Sequence, residues 1–234
     1  MVVSRPPLRG ALARVGALVL GETQRTDLPE RVQRMIATQQ AASEIIIGWV
    51  QVVAIVFFGA VYTISPKAFT PGTMLQPVPW TLGFYAVFTA ARLALAYRGR
   101  LGRPVIMISV IVDMAVLMIT IWSFHLQYQA PPALYLKAPT LMYVFILIAL
   151  RALRFEASYV VLAGCTAALG WLALFLYAAL APGGPMAMQF THSYVEYVTS
   201  YKILRGAEID KILSIVTVTA ILARRSARQA SPAN

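Results

Sequence analysis

The chain has 234 residues, of which 59% are hydrophobic and only 12% charged. Soluble domains carry about 25% charged residues, so composition argues against a water-soluble globular fold and for an integral membrane protein. The formal net charge of +11 fits basic residues gathered in cytoplasmic loops and tails rather than a nucleic-acid partner.

Residues 1–43 are polar and mixed in charge. Their longest apolar run, 15–20, falls short of the ~7–15 residues of a secretory signal. The segment reads as cytoplasmic or interfacial. Pro29 and Glu30 suit a helix start, with proline in the first turn and an acid near the positive end of the dipole. The amphipathic helix that follows should lead into the first span.

A spanning helix needs about 20 residues at 1.5 Å each to cross about 30 Å of hydrocarbon. Six spans are expected, at 44–64, 80–97, 104–124, 140–155, 157–181 and 207–225. Pro66, Pro71, Pro77 and Pro79 mark the loop after the first, and Pro131, Pro132 and Pro139 the loop after the third. With the N-terminus inside, Arg98, Arg100 and Arg103 fall in the 2–3 turn. Arg151 and Arg154 fall in the 4–5 turn, and Arg224, Arg225 and Arg228 at the C-terminal end. Short arginine turns then lie inside and longer proline loops outside. The expected fold is all-α: a six-helix transmembrane bundle, both termini cytoplasmic, with a disordered tail at 226–234.

The sixth span is the weak one. Its charge-free core is 212–223, and with Lys211 snorkelling outward it reaches only about 15 residues, or roughly 22 Å. Trp80, Trp122 and Tyr128 should mark the outer interface, Trp49 and Tyr97 the inner one. Trp171, deep in span five, should pack between helices. The small pairs Ala163/Ala167 and Gly164/Ala168 permit close helix approach. The lone Cys165 is expected to be a small packing residue, since it has no disulfide partner.

Few residues can carry chemistry. Asp113 lies roughly 14 Å into span three, where a carboxylate is a functional hypothesis by default. Arg92 in the neighbouring span two is its expected intramembrane partner; a proton or ligand site is the alternative. His125 and His192 both fall on the outer side. They read as interfacial residues, or as the axial ligands of a single b-type haem or half of a metal site. Tyr194, Tyr197 and Tyr201, at spacings of three and four, mark one helix face. That face would lie on the membrane surface or line a quinone pocket. Glu208, Asp210 and Lys211 stand where this loop feeds span six, as caps or as coupling residues. There is no nucleotide-binding glycine loop, no Ser/His/Asp arrangement and no metal-ligand repeat.

Two stretches carry a resemblance. LPERVQRMIATQQAASEIIIGWVQ (28–51), through TISPKAF (63–69), and HSYVEYVTSYKILRGAEIDKILSI (192–215) resemble the N-terminal six-helix membrane regions of bacterial class III adenylate/guanylate cyclases. The resemblance implies a sensor or anchor in the bacterial inner membrane, surrounded by the lipid bilayer and acting as a homodimer. It would relay a membrane or periplasmic signal to a cytoplasmic cyclase domain in cis or trans. Glu44, Glu208, Asp210 and Lys211 would be the signal-coupling positions. The family's metal-binding aspartates and catalytic fold are not in this chain, so no activity is expected of it on its own. Two other classes are weighed: a haem- or quinone-binding redox anchor, and a small transporter. The transporter predicts a polar cavity and inverted repeats, and only Asp113 and Arg92 speak for it.

Overall fold

The computed structural model describes residues 30–64, 77–128, 130–154, 156–181 and 188–230. The N-terminal segment before Glu30, the prolines Pro66 and Pro71, and the last four residues lie outside the described residues. Helix α1 (Glu30–Ile64) is unbroken over 35 residues, so the amphipathic helix and the first span are one element. Helix α2 (Pro77–Tyr97) starts earlier than expected. Pro77 and Pro79, expected in the preceding loop, stand in the first turn, where a proline forfeits no hydrogen bond.

Helix α2 ends in a tight C-terminal motif. Gly99 adopts φ 63°, Gly99 N donates to Ala96 O at 3.0 Å, and Arg100 N donates to Leu95 O at 3.0 Å. This pattern satisfies the last carbonyls and needs a left-handed residue, which glycine supplies without strain. Helix α3 (Arg103–Gln127) follows directly, with Gly102 at its N-cap and proline in its first turn. Next come a one-turn helix α4 (Ala133–Leu136), a 3-10 turn (Pro139–Leu141) and α5 (Met142–Ala152). Helix α6 (Ala157–Leu180) is followed by strand β1 (Phe190–Thr191), helix α7 (Tyr194–Thr199), strand β2 (Ile203–Leu204) and helix α8 (Arg205–Ala230). The strands pair in parallel, Phe190 with Ile203 and Thr191 with Leu204.

Four helices are long and apolar enough to cross a membrane: Ala42–Ile64, Pro77–Tyr97, Arg103–Gln127 and Ala157–Leu180. Two of the six expected spans are not among them. Pro139–Ala152 is apolar but shorter. Helix α8 has 26 residues, but Glu208, Asp210, Lys211, Arg224 and Arg225 crowd its apolar stretch from both ends. Nor does α8 stop at Arg225. It stays helical to Ala230, where a disordered tail from 226 was expected. Glu208, Ile215, Thr219, Ala223 and Ser226 are all buried, and their spacings of seven, four, four and three form one stripe that carries the helix past the arginines.

The core lies between α3, α5, α6 and α8, built on residues such as Val110, Met114, Ile148, Val160 and Ile215. Helix α6 packs against both α3 and α8, and α1 packs on α2. Trp171 is fully buried, between helices as expected, while Val53, Val56 and Phe57 of α1 face outward. In lipid no hydrophobic force drives helices together, so close backbone approach matters more. Gly164 supplies it: a Cβ there would lie 2.1 Å from Thr219 Oγ1. The next residue, Cys165, is exposed, not the packing residue expected. One residue rotates a side chain by about 100° around the helix, from the α8 contact to the outer face.

Candidate functional site

Helices α1, α2, α3 and α5 bring their charged residues together inside the bundle. Asp113 of α3 is the centre. Its Oδ2 accepts hydrogen bonds from Gln51 Nε2 at 2.8 Å and from Arg151 Nη2, and its Oδ1 accepts from Tyr85 OH at 3.0 Å. Arg92 Nη1 stands 3.6 Å from Oδ2. Gln51, Arg92, Asp113 and Arg151 are all buried. A carboxylate taken out of water costs several kcal/mol unless donors and cations replace its solvent, and here four side chains do so.

A second pair lies on the same side of the bundle. Arg154 Nη1 donates to Glu44 Oε1 at 2.6 Å, and its guanidinium lies 4.7 Å from the centre of the Tyr159 ring. Glu44 is 2% and Arg154 7% exposed. Arg151 and Arg154 were expected in an inner turn, in the interfacial role of the positive-inside rule. They are buried instead. Helix α5 has only 11 residues, so the arginines at its end stay within the bundle and turn towards Glu44 of α1 and Asp113 of α3. Those two acids were the signal in the sequence, since each needs a cation and Arg92 alone cannot serve both.

The opposite face of the molecule holds a polar cap. Glu208 Oε2 accepts from Trp171 Nε1 at 3.0 Å, and Glu208 Oε1 pairs with Lys211 Nζ at 2.5 Å. Lys211 also donates to Leu136 O, the last residue of α4, and sits 4.9 Å from the Trp171 ring centre. Lys137, one residue on, donates to Tyr197 O and Ser200 O at the end of α7. Two lysines thus close the C-terminal carbonyls of two short helices, where positive charge is favoured. Burial, with Lys211 nearby, pushes the Lys137 ammonium below its ordinary pKa. Asp210 is exposed. Of the expected coupling residues on α8, Glu208 and Lys211 join this cap.

Helix α7 is capped by Ser193, whose Oγ accepts from Glu196 N. It ends at Thr199, so Tyr201 lies beyond it and the three tyrosines do not share one helix face. The Glu196 carboxylate accepts from Thr191 Oγ1 at 2.7 Å and from Lys202 Nζ at 3.0 Å. These bonds hold its pKa below the ordinary 4.5. A carboxylate depressed in the folded state stabilises it above the unfolded pKa, and that stabilisation fades as pH falls through the lower folded value. Limited proteolysis of the 188–204 loop should therefore cut Glu196→Gln faster than wild type at pH 7, with the difference shrinking as pH falls below the ordinary carboxylate range. A difference that persists at low pH would mean that Glu196 acts through something other than its charge.

His125 and His192 sit in different surroundings, one buried and one exposed. The His125 Nδ1–H donates to Trp122 O one turn back on its own helix. Its ring is enclosed by Trp122, Tyr135 and Tyr177, with centroids 5.2, 5.6 and 5.7 Å away. His192 is exposed between β1 and α7. Among the described residues no group of three or more His, Cys, Asp or Glu side chains is placed to hold a metal ion. This arrangement gives no support to two imidazoles sharing one iron.

The chain matches no family model, no curated protein and no solved structure. Its functional reading rests on the buried arginine–carboxylate cluster and on the polar cap.

Proposed function

We propose that this chain is a membrane sensor or regulatory anchor of the kind found in bacterial adenylate/guanylate cyclases. It receives a signal at the cap or within the bundle and passes it to a cytoplasmic cyclic-nucleotide-producing domain. In this reading α5 and α8 are the two short spans that complete six. Both termini face the cytoplasm of a bacterial inner membrane, and the chain works as a homodimer with a cyclase domain in cis or trans.

One observation carries the reading. Glu208 and Lys211 fasten the start of α8 to Trp171 of α6 and Leu136 of α4. From there α8 runs unbroken to Ala230, carrying Arg224 and Arg225 about 25 Å beyond the staple. A ligand that rearranges the cap moves the head of a stiff helix, and a stiff helix delivers that movement to its other end. Glu44, held by Arg154 at the far end of the bundle, lies on the helix that would register the shift there.

The test is a fusion of the full chain to a class III cyclase catalytic domain, assayed in membranes. The double variant Glu208→Gln/Lys211→Met removes the charged staple and should change basal output several-fold. Asp210→Asn, at an exposed position, should leave it as in wild type. Unchanged output from the double variant, at equal membrane levels, would remove the cap from the signalling route.

A further inference from the structure

We propose that Thr89, Arg92 and Arg151 form a binding site for one phosphate group, between α1, α2, α3 and α5. The first argument is charge. Among the described residues the cluster holds three buried guanidinium groups, Arg92, Arg151 and Arg154, against two buried carboxylates, Asp113 and Glu44. The excess is one positive charge. Arginine cannot shed it by losing a proton, and protonating either acid would enlarge it. A bound anion resolves the imbalance.

The second argument is the hydrogen-bond inventory. Among the described residues, five donor atoms in the cluster have no hydrogen-bonded acceptor: Arg92 Nη1 and Nη2, Arg151 Nη1, Arg154 Nε and Thr89 Oγ1. Only two acceptors are left over, Glu44 Oε2 and Gln51 Oε1, and they lie outside hydrogen-bond reach of those donors. Thr89 is informative because of what it does not do. Thr81, Thr120, Thr166, Thr199 and Thr219 each donate to a carbonyl four residues back on their own helix. Thr89 is 1% exposed and makes no such bond. It stands three residues before Arg92 on the same face of α2. Hydroxyl and guanidinium donors converging from one helix face, with a second guanidinium opposite, suit an oxyanion with several acceptor oxygens.

The third argument is position. Trp49 Nε1 donates to Tyr97 OH at 2.9 Å, and both residues are exposed, as in an interfacial aromatic belt. Arg92 lies five residues from Tyr97, about 7.5 Å along the helix. That is within reach of the level at which lipid phosphates sit. Arg98 and Arg100, exposed just beyond Tyr97, raise the local positive potential and favour arrival of an anion. The phosphate comes from a lipid headgroup or from free inorganic phosphate.

The experiment is thermal unfolding of the purified full chain at constant ionic strength. One arm titrates inorganic phosphate in detergent. The other compares phosphate-free detergent micelles with and without added phosphatidylglycerol. The melting temperature should rise with at least one source. A rise in the phosphatidylglycerol arm alone assigns the headgroup; a rise with inorganic phosphate assigns the free ion. Arg92→Gln should raise the half-saturating concentration about ten-fold or more, and Thr89→Val about three-fold. Without phosphate, Thr89→Val should melt no lower than wild type, because it replaces an unmet buried hydroxyl by a methyl of like shape. Thr89→Val also keeps the test alive if Arg92→Gln does not fold. No rise with either source, or a rise that Thr89→Val leaves untouched, overturns the site.

Discussion

Replacing Asp113 by alanine is expected to cost about 3–5 kcal/mol, because it strips a buried ion cluster of its central carboxylate. Arg151, Arg92, Gln51 and Tyr85 all converge on that one side chain. Its removal leaves two guanidinium groups in a low-dielectric interior, and these cannot neutralise themselves. A loss of that size takes much of a typical folding free energy of 5–15 kcal/mol. Purified Asp113→Ala should therefore melt far below wild type, or appear mostly as aggregate in size exclusion. Asp210→Ala is the control: it removes an exposed carboxylate and should change stability by about 0.5 kcal/mol or less. If the two variants melt together, Asp113 does not hold α1, α2, α3 and α5 to one another.

The second large effect is steric. At Gly164 even a methyl group would meet Thr219 at 2.1 Å from Oγ1, 2.4 Å from Cγ2 and 2.7 Å from Cβ. The side chain cannot simply swing away, since its own Cβ is too close. Helices α6 and α8 must separate, and overpacking of this kind costs about 1–3 kcal/mol. Gly164→Val should sit at the top of that range. Thr219→Ala removes the two nearest atoms and should recover part of the loss in a double-mutant cycle, with a coupling of about 1 kcal/mol. Gly83 gives the opposite sign. Nothing lies within 4 Å of a Cβ there, so Gly83→Ala should stabilise α2 by about 0.5–1 kcal/mol. Equal effects at Gly164 and Gly83 would mean that the α6–α8 approach is looser than the backbone indicates. In a fused sensor, Gly164→Val should also alter output, because α8 would lose the surface along which it is guided.

Much of this molecule is legible from local pattern. Composition points to a membrane protein, and four helices are long and apolar enough to cross a bilayer. Helix ends follow from proline and glycine chemistry: Pro104 opens α3 and Gly99 closes α2, each through a backbone property of one residue. The apolar stretches fall within a few residues of the apolar part of α1 (Ala42–Ile64) and of α2, α3 and α6. The less apolar elements are harder. The 207–225 segment carries too many charges for hydropathy to place it, and its continuation to Ala230 follows from a buried stripe that only becomes visible once α6 is beside it.

The candidate sites divide in the same way. The sequence by itself determined that Asp113 would be costly inside a bundle and that Arg92 stood on a neighbouring helix; it did not place Glu44 in the interior. Burial cost is a property of one residue and its surroundings, so it can be read in one dimension. Only the tertiary structure decided which cations answer those acids. Arg151 and Arg154 look, in sequence, like an ordinary basic turn. They enter the interior because α5 is short and packs beside α3 and α6, and chain length and packing act together only in three dimensions. For the same reason the fold alone joined Lys211 to Leu136. Hydrogen bonds and ion pairs depend on separations of a few ångströms between residues far apart in the chain, and no local pattern encodes those.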